Sequence, residues 1–158
     1  MVSFTIISCI YKDELNYDYK KKVIAHLMDS NLNVVIFTNR ETWGDYLENI
    51  TFQFKKENLR IYSKEYYQFF AHYSGIDWDI QRLLDKREDA LNQYNDYTQC
   101  IRNYILSNQK LEFMDEIIKS NPFNSDYFVW CDTIINQSEL LNYTNKSKIT
   151  LFLSLIHI

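Results

Sequence analysis

Glycine and proline are nearly absent: the 158 residues include two glycines and one proline. A chain so poor in both is neither collagen-like nor built on Gly/Ser or Pro-rich linkers. The segment after the first apolar run, SCIYKDE, has no glycine at all. That excludes the dinucleotide-binding fingerprint and the P-loop, which both need glycine where the backbone approaches a phosphate. Cysteine is scarce as well. Cys9, Cys100 and Cys131 are odd in number and lack metal-ligand spacing, which points to a reducing, cytoplasmic compartment rather than a disulfide framework. His26, His72 and His157 show no H-x-x-H or H-E-x-x-H spacing. No apolar run approaches the roughly 18 residues of a membrane span, so membrane contact would be peripheral. The opening MVSFTIISCIY is too short and too lightly flanked for a secretory signal and reads as a strand. Basic residues form no stripe and the formal net charge is -4, which argues against a nucleic-acid partner.

What the chain does have is apolar and aromatic mass. Hydrophobic residues make up 46% and charged residues 24%, a balance that fits one globular domain over residues 1–158. A domain of this length buries roughly 70% of the surface its unfolded chain exposes. Thirteen tyrosines and ten phenylalanines supply large area, and each tyrosine hydroxyl must reach water or a partner, which places some of them in clefts.

Residues 4–10 are apolar and rich in β-branched side chains, the mark of a strand covered on both faces and hence of a parallel sheet. Leu15, Tyr19, Val23 and Leu27 recur at helical spacing, with Asp13 as a candidate cap and Asp13 and Glu14 where the helix dipole favours acids. NVVIFT, residues 33–38, is a second buried strand, so the first part of the chain reads as a βαβ unit. A short helix is expected over 42–47 and a third strand over 59–62. Two further helices are expected in KEYYQFFAHY and DWDIQRLLDKREDAL, the second with a narrow apolar face of Ile80, Leu83 and Leu84. A longer helix is expected over 97–119, its buried stripe formed by Ile101, Ile105, Leu111, Met114, Ile117 and Ile118, with a break near Ser107 and Asn108. It should stop before Pro122, because the residue preceding proline is pushed toward extended geometry.

The segment NPFNSDYFVWCDTII, residues 121–135, carries the sharpest functional signal. Its strand, 127–131, breaks from an apolar aromatic run onto Asp132. A buried carboxylate is costly unless it is paired, lies at the strand's end or meets a ligand. In open α/β sheets ligands bind outside the carboxyl ends of the strands. That rule gathers Cys9, Tyr11 and Lys12 after the first strand, Thr38, Asn39 and Arg40 after the second, and Asp132 and Thr133 after the last. One carboxylate among such groups could hold a divalent metal together with a diphosphate, since Mg²⁺ takes one or two carboxylates plus substrate phosphates. Each position also has a structural role open to it: Trp130 as core, Lys110 as a surface charge, Asn39 as a turn residue, Asp126 as a solvated turn acid and Asp132 as a strand-end acid. Cys131 should point to the face opposite Asp132, where a nucleophile role would require a basic partner.

SNQKLEFMDEIIKSNPFNSDYFVWCDTII resembles the core motif of the HtrL/YibB-like sugar transferases, in Lys110, Asn121, Pro122, Phe123, Trp130 and Asp132. TIISCIY and VVIFTNR are similar to that family's first two strands. The resemblance implies a GT-A-like three-layer α/β sandwich with a mostly parallel central sheet. It implies a nucleotide-sugar donor, a glycan or other hydroxyl acceptor, and Mn²⁺ or Mg²⁺ at Asp132. Tyr11, Lys12, Thr38, Asn39, Arg40, Lys110 and Trp130 would then lie around the nucleotide. The chain departs from the pattern at Thr133 and Ile134, where the family has a small residue and glycine, and at Trp130, which stands where a first aspartate would. No residue is assigned as catalytic base. TLFLSLIHI, residues 150–158, ends without a cap or turn, and SLIHI resembles a translated sequencing adapter. The expectation is therefore a donor-binding part whose C-terminal portion is missing and whose own transferase activity is weak or absent. The alternative is an inactive transferase-like domain that serves as a protein-interaction module.

Overall fold

The computed structural model of the chain describes residues 3–65, 68 and 97–132. Within them the strands β1 (Phe4–Cys9), β2 (Asn33–Thr38), β3 (Leu59–Ser63) and β4 (Tyr127–Trp130) form an all-parallel sheet in the order β3-β2-β1-β4. Central β1 pairs Ile7 with Val35 on one side and with Trp130 on the other. Helix α1 (Tyr17–Asp29) connects β1 to β2. After β2 a single helical stretch comprises α2 (Arg40–Thr42), a π-helical segment (Trp43–Leu47) and α3 (Glu48–Phe54), and α4 (Tyr97–Ser120) precedes β4.

All six residues of β1 are buried because helices cover both faces of the sheet. Alternate side chains therefore feed two cores. Ile6, Val34, Ile36, Val129 and Cys131 meet Val23, Ile24 and Leu27 of α1 together with Leu47 and Ile50. Ile7, Cys9, Val35, Phe37 and Trp130 meet Leu106, Phe113, Met114 and Ile117 of α4. Fully burying one aliphatic or aromatic side chain of this kind contributes about 1.5–3 kcal/mol. Phe113 stacks on Phe37 with ring centroids 4.0 Å apart, which ties α4 to β2. The coarse α/β class and the parallel sheet are as expected, and no helix among the described residues is long and apolar enough to cross a membrane.

Several local expectations need correction. Helix α1 starts at Tyr17 with Asn16 at its N-cap, and Asp13 does not cap it. Its buried face is shifted by one residue from the expected stripe: Leu15 and Tyr19 are 49% and 43% exposed, while Lys20 is buried beside Val23, Ile24 and Leu27. The helix expected over 42–47 extends from Arg40 to Phe54. Helix α4 passes unbroken through Ser107, whose hydroxyl donates to the Asn103 carbonyl at 2.9 Å and so stays inside the helical ladder. Leu111 and Ile118 are exposed, and Leu106 and Phe113 take their place in the core. The side chains of Ile101 and Ile105, and all of KEYYQFFAHY and DWDIQRLLDKREDAL except Lys64, Glu65 and Gln68, lie outside the described residues.

Glycine scarcity leaves a trace in the backbone. Lys55, Asn121 and Asn124 adopt positive φ angles of 47°, 37° and 53°. Helix α4 does stop before Pro122, but Asn121 is left-handed rather than extended. Its carboxamide accepts from the Ser125 N–H at 2.8 Å and donates to the Ser125 carbonyl at 3.2 Å, which holds the turn.

Candidate functional site

The chain lays β2 and β3 to one side of β1 and returns to place β4 on the other. Strand order thus reverses between β1 and β4, and in open α/β sheets the carboxyl end of such a switch point is where ligands lie. Hydrogen bonds fix the end of β4 there. The Cys131 N–H donates to the Ile7 carbonyl at 2.8 Å, and the Ser8 hydroxyl donates to the Cys131 carbonyl at 2.7 Å. Asp132 follows directly, above the sheet edge and between the two helical layers.

Its carboxylate is reached from both layers. The Lys20 ammonium of α1 donates to Oδ1, the Lys110 ammonium of α4 donates to Oδ2, and the Trp130 indole N–H donates to Oδ2 at 2.8 Å. The Lys20 side chain is only 2% exposed, Asp132 is 26% exposed and Lys110 is 34% exposed. Lys110 also lies 5.7 Å from the centre of the Trp130 ring. Burial opposes the Asp132 charge, but the two ammonium groups outweigh it and hold the carboxyl below its ordinary range. Burial likewise opposes the Lys20 charge, and the surrounding Glu14 and Asp132 carboxylates raise its pKa instead. Glu14 accepts from the Tyr11 N–H at 2.9 Å. Burial pushes its carboxyl up, against the pull of Lys20 and of that N–H. Burial also raises the Cys9 thiol far above its normal value, so it stays protonated and is no nucleophile.

The remaining expected residues do not converge on Asp132. Tyr11 is core: it is fully buried, and its hydroxyl donates to the Lys64 carbonyl at 3.1 Å. Lys12 turns to Glu41 and Asp45, at 3.4 Å and 3.7 Å. Asn39 accepts from the Thr42 N–H at 2.9 Å as a helix cap, the structural role that asparagine suits. The Thr38 hydroxyl donates to the Ile10 carbonyl at 2.9 Å and bridges the ends of β1 and β2. Thr38 and Arg40 do share a groove of about 360 Å³ with Trp43, Ile61 and Ser63, at the carboxyl ends of β2 and β3. Trp130 joins the α4-side core and donates to Asp132, so it does not wall an open cleft. Asp126 accepts from the N–H and hydroxyl of Ser3, at the opposite end of β4 from Asp132.

A second cleft, of about 370 Å³, is lined by Lys64, Gln68, Gln109, Glu112, Asp115 and Glu116. There Gln109 is buried with its Oε1 unpartnered, and its amide nitrogen donates to Glu112.

The expected Mn²⁺ or Mg²⁺ does not fit the donors at Asp132. Both carboxylate oxygens already accept from ammonium groups, and no group of three or more His, Cys, Asp or Glu residues among the described ones is placed to hold a metal. A hard divalent cation needs oxygen ligands free to coordinate it. The local positive charge comes from the two lysines.

Sequence reasoning brought Asp132, Lys110 and Trp130 together but missed Lys20 and Glu14. A signal for Lys20 was present: it lies four residues before Ile24 and seven before Leu27, on the stripe that α1 buries. A lysine at such a position needs a buried acid, and the acid interrupting the apolar strand is the matching half of the pair. No protein-family model, curated protein or solved structure matches the chain.

Proposed function

We propose that the chain is the donor-binding part of a nucleotide-sugar glycosyltransferase, which moves a sugar from a nucleoside diphosphate to a glycan or other hydroxyl acceptor. The observation that carries this reading is the charged cluster of Asp132, Lys20 and Lys110 at the carboxyl end of β1 and β4, where strand order reverses. The parallel order β3-β2-β1-β4 is the one doubly wound folds use to place a nucleotide. A GT-A-like three-layer sandwich is the finer version of this fold that we propose. Fold by itself does not assign chemistry, so the weight rests on the charged groups.

Transfer of the sugar leaves negative charge growing on the departing diphosphate, and fixed positive groups at that point lower the barrier. The ammonium groups at Asp132 are suited to that task. The groove of Thr38, Arg40, Trp43, Ile61 and Ser63, at the carboxyl ends of β2 and β3, is suited to the nucleoside, with Trp43 as an aromatic wall and the Ser63 hydroxyl and Arg40 guanidinium as donors. Titration calorimetry with UDP and GDP, with and without Mn²⁺, tests the reading: heat of binding is expected for at least one nucleotide at up to millimolar concentration. Silence for both, with and without metal, would favour an inactive transferase-like domain that serves as a protein-interaction module. The engagement of both Asp132 oxygens is the observation on that side.

A further inference from the structure

We infer that Lys110, oriented by Asp132 beside the buried Lys20, is an anion contact that takes the place of a divalent cation, so that the phosphates of a nucleoside diphosphate bind here without metal. The inference rests on the donor-site reading and goes further by naming what neutralises the diphosphate.

Two ammonium groups share one carboxylate, so the trio retains a unit of positive charge. Among the described residues the other titratable groups facing it are Glu14 and the Cys9 thiol. Burial pushes the pKa of both up, and the carboxylate of Glu14 acts more on the buried Lys20 than on Lys110. An ammonium has three N–H donors and no acceptor. Lys110 gives one to Asp132 and is one-third exposed, which leaves donors on its open side for an incoming phosphate oxygen. Lys20 is too buried to touch a ligand and acts as a positioning residue. By drawing on the same carboxylate it prevents Asp132 from fully neutralising Lys110. The indole N–H of Trp130 fixes Oδ2, so the carboxylate cannot rotate away from Lys110. A divalent cation approaching Asp132 would have to displace both ammonium groups against like-charge repulsion, whereas a phosphate meets charge of the opposite sign.

The experiment is calorimetric titration of the full chain with UDP and GDP in excess EDTA and in excess Mn²⁺, repeated at raised ionic strength. The expected result is binding in EDTA with an affinity within about 2-fold of that in Mn²⁺, weakening as salt rises. Lys110→Met should weaken binding about 10-fold or more, the loss expected for one charge-assisted hydrogen bond, while Lys110→Arg retains most of it. Circular dichroism of both variants separates loss of the contact from loss of fold. Binding seen only with Mn²⁺ would overturn the metal-independent contact and leave the donor-site reading standing. Unchanged affinity in folded Lys110→Met would overturn the assignment of Lys110. Absence of binding under every condition would overturn both this inference and the reading it rests on.

Discussion

Replacing Asp132 by asparagine should cost far more stability than its position at a strand end suggests. Asparagine keeps the shape and can still accept from the Trp130 indole, but it removes the countercharge of Lys20, whose side chain is 2% exposed. Removing one partner of a buried pair typically costs about 3–5 kcal/mol, because the other charge is left uncompensated. Asp132 is 26% exposed and Glu14 remains near Lys20, so the lower end applies, about 3 kcal/mol. For a chain of this length each kcal/mol lowers the melting temperature by about 2–4 °C, which gives a fall of roughly 6–12 °C. Urea unfolding followed by circular dichroism measures the loss as a lower midpoint at unchanged slope. A double-mutant cycle assigns the cause. Lys20→Met removes the buried charge and leaves Asp132 bound to Lys110 and Trp130, so it should cost about 1 kcal/mol or less, as replacement of a buried ion by an apolar isostere often does. Adding Lys20→Met to Asp132→Asn should then recover part of the stability. A loss below about 0.5 kcal/mol for Asp132→Asn, the range of an ordinary surface substitution, would refute the reasoning. So would a loss of the same size in the Lys20→Met background.

The pH dependence follows from the same pair: a carboxyl held below its ordinary value of 3.8 contributes stability above that value and loses it as pH falls through the folded pKa, so the advantage of wild type over Asp132→Asn should shrink in urea titrations taken below pH 3.8. Phe113→Ala should lose about 3–5 kcal/mol in chemical denaturation, since the ring is buried and stacked on Phe37; a loss under about 1 kcal/mol would show that α4 is not anchored there. Lys55→Gly should raise the urea midpoint by the equivalent of about 0.5 kcal/mol, because Lys55 ends α3 at a φ of 47° that glycine adopts without strain. Cys9 and Cys131 are buried and should resist alkylation by iodoacetamide in the native chain and react after denaturation, which mass spectrometry of the labelled peptides would report.

Much of the fold was legible because it depends on periodicity. The apolar β-branched runs of β1 and β2 read as strands covered on both faces, and that coverage is what makes a parallel sheet. The break from Trp130 to Asp132 was legible for a related reason: a carboxylate inside an apolar run signals its own cost. Helix phase was less secure. One residue of rotation separates Tyr19 from Lys20, and the aromatic residue looks like the better core candidate until the neighbouring layers are known. The exposed Leu111 and Ile118, against buried Leu106 and Phe113, show the same ambiguity in α4, where apolar residues occur on more than one side.

The sequence by itself determined that Asp132 requires compensation, since burying an isolated charge costs several kcal/mol in any fold. Only the tertiary structure decided what compensates it. Lys20, Lys110 and Asp132 lie on three separate elements, and they meet because β4 returns beside β1 and carries its end up between helices on opposite faces of the sheet. Distance along the chain does not encode that meeting; the packing of two helical layers against one sheet creates it.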